Sequence, residues 1–239
     1  MEKSNKLIIF GLILGAAFLA GTYLVSQTFL AVKKMDNIIS VSGSAKQLVQ
    51  ADNARWTGNF SRTIAKDALA EGYALMRLDE KAITDFFQSE GFGGQFEISP
   101  IFMNEVYKSD PNAPKEYNLI QNIEVKSNDV NKTKELAKKT EILAQKGIIF
   151  SAYPVEYYYS KLPEVRVSLL PEAIKDAKNR AASIAQSSGK IVDSIKSVSM
   201  GVVQVMTAGA VDVSDYGSYD TSAIDKEIMI TVKTTFSLK

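Results

Sequence analysis

The stretch PEAIKDAKNRAASIAQSSGKIVDSIKSV, residues 171–198, decides the fold. Pro171 suits a helix start, where a missing N–H removes no intrahelical bond. Ile174, Ala177, Ala181 and Ile184 recur at steps of three and four and make a narrow apolar stripe. The small residues in that stripe imply close approach to a sheet. Gly189 supplies the left-handed residue that ends such a helix. Residues 194–206 then read as a strand, so the fold class is α+β.

Outward from this stretch, residues 226–238 alternate, with Ile228, Ile230, Val232, Phe236 and Leu238 on one side. Upstream, residues 163–169 read as a short strand and 148–159 as a longer one. Residues 116–127 alternate through Tyr117, Leu119, Ile123 and Val125. A helix over 129–145 is capped by Asn128 or Asp129 and closed by Gly147. Residues 95–107 form a strand with Pro100 marking a bend or an edge, and 108–115 form a loop. Leu69, Tyr73, Met76, Ile83 and Phe86 mark a helix over 67–90. Residues 54–64 are a half-buried strand that places Trp56 in the core, and 37–43 are a shorter strand. The expected architecture is mostly antiparallel sheet with three helices.

Ahead of this domain, residues 7–32 carry no charge and begin LIIFGLILGAAFLAGTYLV. About 20 apolar helical residues cross a hydrocarbon core of about 30 Å. A cleaved leader has a shorter apolar run and small residues before the cut. Here the run is longer, and Phe18 is too large for the position two before Ala20. The segment reads as an uncleaved signal anchor, with residues 1–6 as a cytoplasmic tail and 37–239 as the domain on the periplasmic or exterior side. Lys3 and Lys6 precede it and Lys33 and Lys34 follow, so the charge balance across it is even; the short tail sets the orientation.

Composition narrows the chemistry. The chain has no Cys and no His. Disulfides, thiolate nucleophiles, the Ser-His-Asp arrangement and the usual zinc ligands are therefore excluded. Lys plus Arg is 28 and Asp plus Glu is 27, which gives no electrostatic reason to expect nucleic acid. The seven methionines are scattered, which leaves soft metals few ligands. No cofactor or metal is expected.

Four clusters invite a functional reading. Tyr153, Tyr157, Tyr158 and Tyr159 alternate faces, so part of the cluster reaches the surface; core packing is the ordinary reading, a peptide or glycan platform the other, with Tyr157, Tyr158 and Tyr159 as candidate partner contacts. The string GFGG at 91–94 ends a helix and lacks the Lys-Ser/Thr of a phosphate loop, so it reads as a turn. Residues 207–225 are rich in Gly, Ser, Asp and Tyr and read as a long mobile loop. Within it, Asp212, Asp215 and Asp220 lack the register of a calcium loop. Glu97, Glu105 and Glu124 lie on or near strands and are the carboxylates a glycan hydrolase would use, although charged residues at alternating positions usually face water.

In order and in detail these elements resemble the SIMPL domain family. ISVSGSA with Gly43 looks like its opening strand, and Ile98-Ser99-Pro100 is similar to its strand that ends in proline. Tyr117 with Asn122, Ile123 and Val125 looks like its aromatic-then-Asn strand. Ala173, Asp176, Ala177, Ala181, Ala185 and Gly189 stand in the places its last helix expects. The resemblance covers about residues 37–238. Glu116 replaces the glycine usual before the aromatic, and the glycine-rich turn after the opening strand is reduced to Gly43.

The resemblance implies a bacterial envelope protein, with some relatives oligomeric and some linked to oxidative stress tolerance. It carries over no catalytic residue. The chain is thus expected to be a non-enzymatic, membrane-anchored module. Its expected partners are the lipid bilayer, further copies of itself and an envelope protein, with nucleic acid excluded. A carboxylate-dependent envelope glycan hydrolase is the alternative.

Overall fold

A computed structural model of the chain describes residues 2–35, 37–110, 112–210 and 214–239. The side chains of residues 2–9 and 31–35, among them the flanking Lys3, Lys6, Lys33 and Lys34, lie outside that description. Helix α1, Glu2–Met35, runs past both ends of the expected 7–32 segment. Its stretch Phe10–Leu30 has a mean hydropathy of 1.5 and buries nothing against the rest of the chain. Thr22 and Thr28 donate their hydroxyls to the carbonyls of Phe18 and Leu24. Such internal pairing is what lipid requires of polar groups.

The remaining residues form β1 (Ile38–Gln50), β2 (Asn53–Ala65), α2 (Leu69–Ser89), β3 (Phe96–Ile98), β4 (Phe102–Glu105), β5 (Glu116–Ser127), α3 (Val130–Lys139), α4 (Glu141–Gln145), β6 (Ile149–Ala152), β7 (Glu156–Tyr158), α5 (Leu162–Ser187), β8 (Val192–Thr207), β9 (Ser218–Tyr219) and β10 (Asp225–Leu238). One sheet has the order β1-β10-β8-β9; the other runs β3-β5-β2-β6, with β4 also on β5 and β7 also on β2. The architecture is α+β. The expected helix over 129–145 is present but breaks at Thr140 into α3 and α4.

Contacts divide the chain into two units. The first holds Met1–Ala45, Ser168–Val202 and Ile230–Lys239. Here α5 sets Ala173, Ala177, Ala181 and Ala185 inward, each at most 1% exposed. Gly43 on β1 meets this stripe so closely that an added Cβ would fall 2.8 Å from the Ala177 Cα and collide with the Ala173 carbonyl. Asp176 ties the contact down: its carboxylate accepts the Ser44 N–H at 2.8 Å and the Arg180 Nε at 2.9 Å.

One expectation fails in α5. Residues 163–169 are not a short strand, and the helix does not start at Pro171; it starts at Leu162 with Pro171 inside. Val165 and Leu169 are buried and extend the alanine stripe backward at the same step of four. That burial outweighs the β-branched character of the segment. The bond lost at Pro171 would have gone to the carbonyl of Val167, a residue on the exposed side.

The second unit holds Lys46–Val167 and Val203–Met229. On β2, Ala54, Trp56, Gly58 and Phe60 point inward and their neighbours point out. Trp56 is fully buried, donates its indole N–H to the Tyr153 carbonyl at 2.9 Å, and lies 5.9 Å from both Phe87 and Phe150. Helices α2 and α3 complete this core with Met76, Ile83, Phe87 and Leu136. Arg62 and the buried Asp79 form a two-pronged ion pair at its margin. Asp129 caps α3 by accepting the Lys132 N–H at 2.9 Å. Gly91 and Gly94 take positive φ in the turn after α2, as the GFGG reading requires. Two expected strands are interrupted: 95–107 becomes β3 and β4 around Pro100, and 148–159 becomes β6 and β7 around Pro154. Proline has no N–H for a ladder, which explains both breaks.

Replacing Gly43 by Ala is expected to lower the chain's stability in detergent by about 1–3 kcal/mol, the usual cost of overpacking. Gly93→Ala, where nothing lies within 4 Å of the added carbon, is expected to leave it unchanged. Denaturant titration of the two variants checks the contrast.

Candidate functional site

The alternation holds between Tyr157 and Tyr158 and stops there, because Tyr159 lies beyond the end of β7. Tyr157 is buried and packs with Ala51, Ala54 and Val130. Its side chain is therefore part of the core, and only Tyr158 and Tyr159 remain accessible. These two line an open groove of about 490 Å³ with Tyr219, Arg55, Lys126 and Asn128.

Several bonds hold this wall in place. Strand β7 pairs with β2, setting Asn53 opposite Tyr158 and Arg55 opposite Glu156. Asp52 accepts both the N–H and the hydroxyl of Ser160, at 2.8 and 2.6 Å. Tyr158 donates its hydroxyl to Glu156 at 2.9 Å, and burial raises its pKa. The rings of Tyr158 and Tyr219 lie 5.8 Å apart and tilted by 33°. The Tyr219 hydroxyl accepts the Tyr159 N–H at 2.8 Å.

Tyr219 belongs to the stretch read as a mobile loop, and sequence reasoning missed it. In the structure Ser218 and Tyr219 form β9, parallel to Gln204 and Val205 of β8. Gln204 is buried; it donates to the Ser214 carbonyl at 2.5 Å and accepts the Ser218 hydroxyl at 2.6 Å. Lys226 is fully buried, donates to the Asp220 carbonyl at 2.5 Å and lies 5.5 Å from the Tyr219 ring. Burial pushes its pKa down. Asp220 accepts from Thr207 and from the Ser222 N–H and hydroxyl, which hold its pKa at about 2. The available signal was Gln204 itself, a polar residue inside the apolar run VVQVM. Of the aspartates weighed for calcium, Asp212 lies outside the described residues. Among the described residues no three acidic side chains converge as metal ligands.

A second groove of about 510 Å³ lies on the wet face of the same sheet. It brings together two of the three candidate carboxylates, because Glu97 and Glu124 are direct partners across β3 and β5. Glu105 is elsewhere, opposite Tyr117 and in an ion pair with Lys115 at 2.9 Å. Along β5 that separation is about 23 Å at a strand's rise. Glu124 is paired with Arg55 and with Lys126. The Arg55 guanidinium holds its carboxyl below the ordinary glutamate range. A general acid needs the opposite shift.

Residues 39–236 match the model of the SIMPL family, described as a protein of unknown function (DUF541). The chain belongs to the SIMPL family. Both grooves fall inside the matched range, and α1 precedes it. None of the curated proteins compared with the chain matches it. The family carries no specific activity to assign to either groove.

The sign of the Asp220 shift gives a test. Its folded value of about 2 lies below the ordinary aspartate value of 3.8, so its contribution is full above about pH 4 and is lost as the pH falls toward 2. Amide-exchange protection at residues 218–222, corrected for intrinsic rates, is expected to drop over that window. In Asp220→Asn it is expected to be low already at neutral pH.

Proposed function

We propose that this SIMPL protein is a non-enzymatic envelope module, tethered to the cell membrane by α1 with its domain on the periplasmic or exterior side. On this reading the module binds a protein partner and serves envelope or oxidative stress tolerance. The observation that carries the binding role is the groove of Tyr158, Tyr159 and Tyr219. Hydrogen bonds fix the Tyr158 and Tyr219 side chains and the Tyr159 backbone while the groove stays open to solvent. Such rings give contact area at little entropic cost. Self-assembly is the second part of the reading, supported by Val198, Met200 and Val202, which stand exposed along β8.

The carboxylate hydrolase remains the second reading because Glu97 and Glu124 face each other in one groove. Against it stands the ion pairing that keeps Glu124 charged. Turnover of peptidoglycan or another envelope glycan that disappears in Glu97→Gln would favour it.

A photoreactive residue at Tyr159 is expected to crosslink one envelope protein in living cells, and Tyr158→Ala is expected to cut that yield severalfold. Identical yields in both backgrounds would remove the groove from the binding role. Light scattering of the detergent-solubilised chain is expected to give a multiple of its 26.2 kDa.

A further inference from the structure

The foot of the first unit is joined to α1 by a very short link. Helix α1 ends at Met35 and β1 starts at Ile38, so only residues 36 and 37 intervene. The uncharged run ends at Val32. Three helical residues and the greatest reach of two more place Asn37 at most about 12 Å beyond that point. The headgroup layer of one leaflet is itself about 5–8 Å deep.

Asn37 is not alone there. Its carbonyl accepts the Leu238 N–H at 2.8 Å, and its side chain accepts the Lys190 ammonium at 2.5 Å. Ile191 and Lys239 exchange two backbone hydrogen bonds of 2.9 Å each. The same short link therefore holds Lys190, Ile191 and Lys239 near the membrane surface. Ile191 is 73% exposed, although it lies between a turn and a paired strand. Lys190 and Lys239 stand there with the carboxylate of Asp193, which is paired with Lys239.

We propose that this foot is a lipid-contact surface. Ile191 enters the interfacial layer, while Lys190 and Lys239 meet the phosphates of anionic phospholipids. Lysine suits the task, since its stem lies along apolar surface while its ammonium reaches phosphate. The surface rests on the anchor reading of α1, and it adds that the folded domain grips the bilayer beside its tether.

The absence of cysteine makes a direct test simple. Full-length Ile191→Cys carrying an environment-sensitive fluorophore is placed in phosphatidylcholine vesicles with or without phosphatidylglycerol. The expected result is blue-shifted emission, quenching by headgroup-labelled lipid, and a gain of both when phosphatidylglycerol is present. Lys190→Gln with Lys239→Gln, which keeps a donor for Asn37 but removes the charge, is expected to abolish that gain without changing the circular dichroism. A chain that fails to float with the vesicles after an alkaline wash would overturn the anchor and this surface together. A chain that floats while its label stays in water, unquenched, would overturn the surface alone.

Discussion

Strand β1 and helix α5 approach so closely at Gly43 that neither has room for a side chain between them. The contact is made of backbone against backbone, with the carbonyl of Ala173 and the chain at Ala177 filling the space a Cβ would take. Four alanines at a step of four and one glycine are what such a contact demands. Dispersion forces fall off steeply with distance, so atoms this close gain much from little surface. The sequence order of the first unit follows from it. The strand that follows α1 must run past the alanine face of α5, and β10 must fill the sheet beside it with Ile230, Val232 and Phe236.

The second unit solves a different problem. Its core is aromatic, built on Trp56 and the phenylalanines around it, and its sheet leaves one face wet. The wet face is not idle. Arg55 lies between two grooves and is gripped by Glu124 and Glu156. It fixes the boundary between a polar groove with facing carboxylates and an aromatic one with three tyrosines. The tyrosine wall depends in turn on buried Lys226 and Gln204, which hold the stretch carrying Tyr219. Buried polar groups of this kind are stable only when their bonds are made, so they specify one loop path over others.

Local patterns were legible in the sequence, and distant pairings were not. The inward Trp56 and the alternation of β5 and β10 could be read from spacing, whereas the stripe read as Ile174, Ala177, Ala181 and Ile184 is corrected to a strict step of four, Ala173 to Ala185, with Ile184 52% exposed. Alternation would have set Tyr159 beside Tyr157, but β7 ends at Tyr158 and Tyr159 lines the groove with it. The segment before Pro171 was misread because its valines and leucines suit a strand locally, while a step of four from Val165 to Ala173 makes them helix. Tyr219 could not be found from spacing, since its place comes from a parallel pairing with Gln204 and Val205. The meeting of Glu97 with Glu124 was hidden in the same way by register across two strands.

The burial of Trp56 has a practical corollary. It is the only indole in the chain, and it sits wholly within the second unit. Its emission is therefore an optical gauge of that unit's integrity, blind to events in the first unit unless the two melt together. Comparison of that intrinsic signal with the far-ultraviolet dichroism of the whole polypeptide reveals whether the two parts open in one cooperative step or in sequence.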